Sequence, residues 1–335
     1  MGARIEAIEY VFPENKLTNE DLQLEFPDYN FEKFEKKVGI KSRYVVSEDE
    51  TALNLAYRAA EKLFQKGYSK DEIDYVLYCT QSPEYLLPTS ACILQDMLGL
   101  KKNLGAFDFN LGCSGFTYGV SFAKGLIHSN QARNVLLITS ETYSKYLHHQ
   151  DRTNRSIFGD AASATLIVSD QQNCIKEFCF GTDGSGYDKL IIRNGASKHQ
   201  YDPHCSIKSY GTGNKYTDNH LYMNGPEIFN FTSAVIPKFT KEILEKNNTT
   251  KEEVSQFIFH QANAFMLNFM RKRLKVDTEK FYIDLMDKGN TVSNTIPIAL
   301  KDYSANLKEA EKIVLVGFGV GLSWSGGLIE INNKL

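Results

Sequence analysis

Phe158-Gly-Asp-Ala-Ala-Ser-Ala-Thr-Leu-Ile-Val168 and Phe318-Gly-Val-Gly-Leu-Ser-Trp-Ser-Gly-Gly-Leu-Ile329 both run from Phe-Gly through small residues into an apolar strand. Each follows a short β-branched and aliphatic run, near 135 and near 313, of the kind that forms a buried strand. Such an echo at two places in one chain implies two similar halves, and 335 residues are enough for two. The break falls near 170–180, giving halves 1–175 and 176–335. Working outward, 75–80, 134–139, 257–259 and 312–316 read as short buried strands. Segments 51–66, 90–98, 114–129, 228–246 and 262–274 read as amphipathic or small-residue helices. Strands interleaved with helices imply an α/β fold with parallel sheets covered on both faces. Between about 183 and 220 a Gly-, Ser-, Asn- and His-rich stretch reads as a long surface excursion placed to line a site.

Composition narrows the function classes. Acidic residues number 41 against 38 Lys plus Arg, so the net charge is −3 and no basic excess points to nucleic acid. The longest apolar stretches, 135–138 and 313–316, fall far short of the roughly 20 residues that span a bilayer. The opening Met-Gly-Ala-Arg-Ile-Glu has no apolar signal core, so the expectation is a cytoplasmic enzyme. Six scattered cysteines form no Cys-x-x-Cys pair, and His148-His149 and His204-Cys205 lack further ligands at useful spacing. No metal and no resident cofactor is expected.

Three residues carry chemistry. Cys113 follows a strand and tight turn, 105–112, and precedes the small-residue run Ser-Gly-Phe-Thr-Tyr-Gly, which reads as a buried helix. Unpaired N–H groups and the helix dipole there favour thiolate, as a nucleophile requires. His260 comes directly after the strand 257–259 and should project from its carboxyl end, where open α/β sheets place their sites. Asn290 lies in the turn-rich Lys288-Gly-Asn-Thr-Val-Ser-Asn-Thr-Ile-Pro297; alone, it reads as a helix cap. Cys, His and Asn in this order admit a papain-like peptidase, but no Cys-Gly-Ser-Cys-Trp surrounds Cys113 and the α/β alternation is wrong for it.

Taken together, Asn-Leu-Gly-Cys113-Ser-Gly-Phe, Phe-His260-Gln-Ala-Asn, Gly-Asn290-Thr and Gly317-Phe-Gly-Val-Gly-Leu-Ser-Trp324 resemble the β-ketoacyl-acyl carrier protein synthase III family of the thiolase superfamily. Pro88-Thr-Ser-Ala-Cys92, Asp151-Arg-Thr153 with Phe158-Gly-Asp160, Thr182-Asp-Gly-Ser-Gly186 and Met223-Asn-Gly-Pro-Glu-Ile-Phe229 extend the resemblance over nearly the whole chain. It implies a thiolase-like fold: two pseudo-repeated βαβαβ halves in a five-layered α-β-α-β-α arrangement, with Cys in the first half and His and Asn in the second, assembled as a homodimer. It implies that Cys113 takes an acyl group from a thioester, while His260 and Asn290 hold the thioester oxygen of a malonyl donor as carbon dioxide leaves. The enolate then attacks acyl-Cys113. The backbone N–H of Cys113 and one from Gly319, Val320 or Gly321 would form the second oxyanion hole. Lys37, Leu87, Arg152, Phe158 and Gly225 would meet the substrate or its carrier, which is coenzyme A or acyl carrier protein.

Departures cluster where that carrier binds. Familiar members hold the coenzyme A adenine with a Trp and an Arg, where this chain has Lys33-Phe-Glu-Lys-Lys-Val-Gly-Ile40, while Arg152 does match. Pro226 replaces an Asn, and Asn230 and Phe265 stand where basic residues dock the carrier. Lys33, Lys36, Lys37, Arg271, Lys272 and Arg273 offer a shifted basic patch for an acidic carrier protein. A hydroxymethylglutaryl-coenzyme A synthase would need a Glu near Gln81, and Gln is no base. Chalcone-synthase-like enzymes share Cys, His, Asn and the Gly-Phe-Gly-x-Gly loop, but the shorter chain and His-Gln-Ala-Asn favour synthase III. An acyltransferase passing the Cys-bound acyl group to a hydroxyl or amine is the enzymatic alternative. A non-catalytic dimer partner is disfavoured because all three residues are kept.

Overall fold

The structure, a computed structural model, describes residues 2–335. The chain opens with β1 (Gly2–Val11), a ribbon strand β2 (Asn15–Thr18), helices α1 (Asn19–Glu25) and α2 (Phe31–Val38), and β3 (Ser42–Val45), which pairs with β2. There follow α3 (Ala52–Phe64), β4 (Tyr75–Cys79), α4 (Ser90–Met97), β5 (Gly105–Phe109), α5 (Gly115–His128), β6 (Asn134–Glu141), α6 (Arg152–Ile157) and β7 (Ala161–Asp170). Then come β8 (Ile175–Thr182) and four short strands, β9 (Leu190–Ile191), β10 (Lys208–Tyr210), β11 (Asn214–Tyr216) and β12 (Tyr222–Met223). The chain ends through α7 (Gly225–Lys246), β13 (Gln256–Phe259), α8 (Ala264–Leu274), β14 (Phe281–Tyr282), α9 (Thr295–Ser304), β15 (Glu311–Gly319) and β16 (Ser323–Ile331).

Two five-stranded sheets result, in the orders β1-β7-β6-β4-β5 and β8-β16-β15-β13-β14. Each repeats one pattern: two antiparallel pairings, then two parallel ones. The echo at 158–168 and 318–329 therefore falls on β7 and β16, which hold the same place in their sheets. Wholly parallel sheets were expected and are not found, because β6 and β7, like β15 and β16, are joined without the crossover that parallel neighbours need. The expected surface excursion carries β9 and the β10–β11 hairpin.

Helices occupy three layers. One outer core packs α3 and α4 on the first sheet, through Leu55, Ala59, Leu63 and Leu94 against Val76, Leu136 and Ile138. The other packs α7 and α8 on the second sheet, through Phe239, Ile243, Leu267 and Met270 against Phe257, Val314 and Val316. Between the sheets lie α5 and α9. Phe116, Val120 and Ile127, with Ile296 and Leu300, fill the space between Leu77 and Leu137 on one side and Ile258 and Leu315 on the other. This is the five-layered α-β-α-β-α arrangement. Among the described residues no helix is long and apolar enough to cross a membrane.

Candidate active site

Cys113 stands between the carboxyl end of β5 and the start of α5, with Ser114 at the helix N-cap. Small residues let this helix start lie between the two sheets. A Cβ on Gly115 would overlap the Cys79 sulfur of β4, and one on Gly317 of β15 would stand 2.7 Å from Ser114 Cα. Gly319 comes nearest the thiol: a Cβ there would lie 2.9 Å from Cys113 Cβ and 3.1 Å from its sulfur. The backbone of the second half thus presses directly on Cys113 of the first.

His260 continues β13 by one more rung, its N–H donating to Val316 O at 2.8 Å. Asn263 then caps α8 by accepting from Met266 N, which turns the chain away and leaves the imidazole at the strand end. Asn290 is held differently: it forms a parallel bridge with Phe158, donates its N–H to Ile157 O at 2.8 Å, and accepts at its own carbonyl from Gly159 N at 3.0 Å. It is not the cap of α9, which starts at Thr295. Its Oδ1 accepts from Val292 N at 2.9 Å, which fixes the amide so that Nδ2 faces His260 Nε2 at 3.5 Å. That separation is long for a direct hydrogen bond and suits two donors aimed at one third atom. On the other side of the ring Nδ1 lies 2.7 Å from the Thr295 hydroxyl, which also reaches Val292 O at 3.1 Å.

Cys113, His260 and Asn290 share the walls of one cavity of about 150 Å³. Phe158, Gly225 and Gly319 also line it, as do Leu190, Met223 and Met266. The fold does not bring every expected residue there. Leu87 is 82% exposed in the loop before α4, carried outward with Tyr85 and Leu86. Val320 lies beside Gly112 instead, and Gly321 makes the tight turn into β16 at φ +141°. Lys37 is exposed on α2 with its ammonium 5.3 Å from the Phe265 ring. Arg152 on α6 stacks its guanidinium on Tyr29 at 3.8 Å and donates to Thr212 O at 2.7 Å. Tyr29 was missed because it lies just before the run compared for an aromatic partner, and only the α1–α2 turn folds it back onto α6. Arg271, counted in the basic patch, turns inward to donate to Val276 O.

Burial dominates the electrostatics. It pushes the Cys113 thiol well above its ordinary range, the nearby Glu141 carboxyl adds to that, and the thiol's own backbone N–H opposes it. The depression expected from the helix N-terminus is therefore outweighed, and the resting group is a thiol. Burial also lowers His260 to about 3, so its imidazole is neutral at neutral pH. Glu141, raised to about 8 by burial, accepts from Gln81 N, Ser82 Oγ and Ser293 Oγ, tying β4 and β6 to the segment after Asn290. Neither Glu141 nor Thr295 carried a local signal in the sequence.

The chain is similar to known proteins along most of its length. Residues 107–184 match the model of the family described as 3-oxoacyl-[acyl-carrier-protein (ACP)] synthase III, and 244–331 match its C-terminal model. A β-ketoacyl-[acyl-carrier-protein] synthase III of Clostridium perfringens is 39% identical, covering 95% of this chain and 96% of that protein. A crystal structure of a 3-oxoacyl-(acyl-carrier-protein) synthase III superposes with a TM-score of 0.96 at 44% identity, covering 99% of this chain and all of that one. A crystal structure of a 3-oxoacyl-(acyl-carrier protein) synthase from Burkholderia xenovorans gives 0.90 at 30% identity, covering 99% of this chain and 95% of that one.

Proposed function

The chain belongs to the 3-oxoacyl-[acyl-carrier-protein] synthase III family, and from that premise we propose that it forms a β-ketoacyl thioester by decarboxylative condensation of an acyl group on Cys113 with a malonyl thioester. In the first half-reaction the Cys113 sulfur attacks the acyl thioester carbonyl. A new C–S bond forms, the bond to the carrier sulfur breaks, and the carrier leaves as a thiol with the proton that Cys113 gives up. The N–H groups of Cys113 and of the 319–321 turn hold the transient oxyanion. In the second, the malonyl carboxylate leaves as carbon dioxide, and the electron pair of the broken C–C bond becomes an enolate. His260 Nε2–H and Asn290 Nδ2–H stabilise the enolate oxygen. Its carbon then attacks acyl-Cys113, forming the C–C bond while the sulfur departs.

Low basicity suits His260 to this work, since a neutral imidazole donates a hydrogen bond without being a competing acid. Donation from Nε2 leaves Nδ1 to accept, so the Thr295 hydroxyl must turn its single proton from Val292 O to Nδ1, and Thr295 is the residue that positions the tautomer. The observation that carries the reading is the convergence of Cys113, His260 and Asn290 on one buried cavity, with Gly319 against the thiol.

We read the primer as arriving on acyl carrier protein rather than through a nucleotide clamp. Tyr29 occupies the Arg152 face at 3.8 Å, while the last turns of α2 and α8 carry Lys36, Lys37, Lys272 and Arg273. A cytoplasmic homodimer is the assembly we propose. The open edge of β5 is flanked by a row of aromatic rings, Phe107, Phe109, Phe122, Tyr118 and Phe180, of which Phe107, Phe122 and Phe180 are 37%, 42% and 47% exposed.

Peptide mapping after treatment with an acyl thioester, with carbon dioxide release from a malonyl thioester followed in parallel, tests the reading. Acyl-Cys113 and release dependent on it are expected, with Cys113→Ser lowering condensation about 10³-fold or more. Acylation without decarboxylation would instead mark transfer to a hydroxyl or amine, and a label on Cys79 or Cys92 would displace Cys113.

A further inference from the structure

The backbone of Asn290 meets that of Phe158 in an isolated bridge, outside any strand ladder. A lone rung has no neighbouring rungs to fix it, so the place of the Asn290 amide depends on what grips the two segments that form the bridge. Both grips come from β3 and the residue before it. On the Asn290 side, the N–H groups of Lys41 and Ser42 donate to Met286 O at 2.7 and 3.1 Å. On the Phe158 side, Asp160 N donates to Tyr44 O at 2.8 Å.

Arg43 stands between these two grips. Its Cβ lies 3.0 Å from where a Cβ on Gly159 would stand and 2.9 Å from one on Gly289, whose φ of +70° suits glycine. Its side chain is wholly buried, and its guanidinium donates to Ser156 O of α6 at 2.5 Å, Asn19 Oδ1 of α1 at 2.8 Å and Leu17 O of β2 at 3.2 Å. None of these partners is a carboxylate, and Nε has no partner. Burial lowers the guanidinium to about 10, which leaves it a cation at neutral pH. A buried charge held only by neutral oxygens costs stability, and an apolar side chain would fill the same space at less cost. What the planar fork adds is a fixed spacing among three segments, one of which leads straight into Ile157–Gly159.

Resting on the reading of Asn290 as a donor to the enolate oxygen, we propose that Arg43 is a positioning residue for decarboxylation. It holds the 156–159 segment against β3 and so sets the Asn290 amide opposite His260.

Carbon dioxide release from malonyl-pantetheine and acyl-Cys113 formation from acetyl-pantetheine are measured for Arg43→Met, alone and combined with Asn290→Ala. Release is expressed per acylatable Cys113, so that only folded molecules count. Arg43→Met should lower kcat for release at least about tenfold, while KM for the malonyl thioester and the rate of acylation each move less than about threefold. In the Asn290→Ala enzyme the same substitution should cost less than about twofold, because the group it positions is gone. Asn19→Ala loosens the guanidinium from a second segment without touching Arg43, and gives the same comparison if Arg43→Met does not fold. It should lower release about threefold or more, and only where Asn290 is present. Unchanged release, equal losses in both half-reactions, or a loss that persists beside Asn290→Ala, as a long-range effect of the charge would, overturns the inference and leaves Asn290 in its role. Undiminished release from Asn290→Ala alone overturns that role and the inference with it.

Discussion

β6 to β7 and β15 to β16 are the same step in the two sheets, an antiparallel return between the third and second strands, yet the two connections differ in kind. The first spans 142–160 and contains a 3₁₀ turn at Tyr143–Tyr146 and helix α6. It supplies Thr153, Ile157 and Phe158 to the cavity and runs between two buried carboxyls, Glu141 at the end of β6 and Asp160 just before β7. The second is only Val320-Gly321-Leu322, and it sets Gly319 against the Cys113 sulfur. A long connection decides what the substrate touches; a tight one decides how closely backbone approaches the nucleophile. Duplicated strands thus give a frame, and unequal connections divide the chemistry.

The largest effect that tests this contrast comes from the tight side. Gly319→Ala places a methyl 3.1 Å from the sulfur and should slow acylation by about 10²-fold, read as the rate of acyl-Cys113 formation. An unimpaired rate would remove the argument from close approach. Next, His260→Ala and Asn290→Ala should each reduce carbon dioxide release by about 10²–10³-fold, with acylation reduced less than tenfold, because the charge they address develops only in decarboxylation. Equal losses in both half-reactions would erase the division of labour.

Stability against pH should report the long side alone. The folded values of Glu141 and Asp160 are raised, to about 8 and about 6, so the native state keeps protons that the unfolded chain has released, and stability falls as pH rises through those values. His260 works the other way: its lowered value of about 3 makes stability fall as pH drops below 6.5. From pH 6.5 to about 8 only Glu141 of the three titrates. The unfolding free energy from urea titration should therefore decline over that window by at most about 1.4 kcal/mol per pH unit, and Glu141→Gln should flatten the decline. A persisting slope in that variant would place the titrating group elsewhere. Smallest of all, Gly125→Ala on the exposed face of α5, with nothing within 4 Å of its Cβ, should raise stability by about 0.5–1 kcal/mol in the same assay.

Much of the frame was legible because it is local. The strands at 75–80, 134–139, 257–259 and 312–316 are continuous apolar runs, and the helices between them carry their own caps, such as Thr51 for α3 and Asn263 for α8. The equivalence of β7 and β16 was visible in their small residues, since both lie where close packing forbids bulk. Antiparallel pairing was not, because β1 and β8 acquire direction only from their partners. At the site, Cys113, His260 and Asn290 could be named from their motifs. Thr295 could not, because its meaning lies in a contact with His260, thirty-five positions earlier in the chain. Nor could the thiol's high resting affinity for its proton, since burial belongs to the packed molecule while the helix start is written in the sequence.

Helix α5 has one further consequence. It begins with Gly115 against β4 of one sheet, its first turn lies under Gly317 of the other, and Phe116, Val120 and Ile127 fill the layer that α9 completes from the second half. Neither half, cut at the exposed Gln171-Gln172 turn, could cover that layer by itself. Two such fragments made separately would each present a sticky inner face, and would regain structure by finding one another. Fragment complementation, rather than independent folding, is the behaviour that a shared middle layer imposes on a duplicated chain.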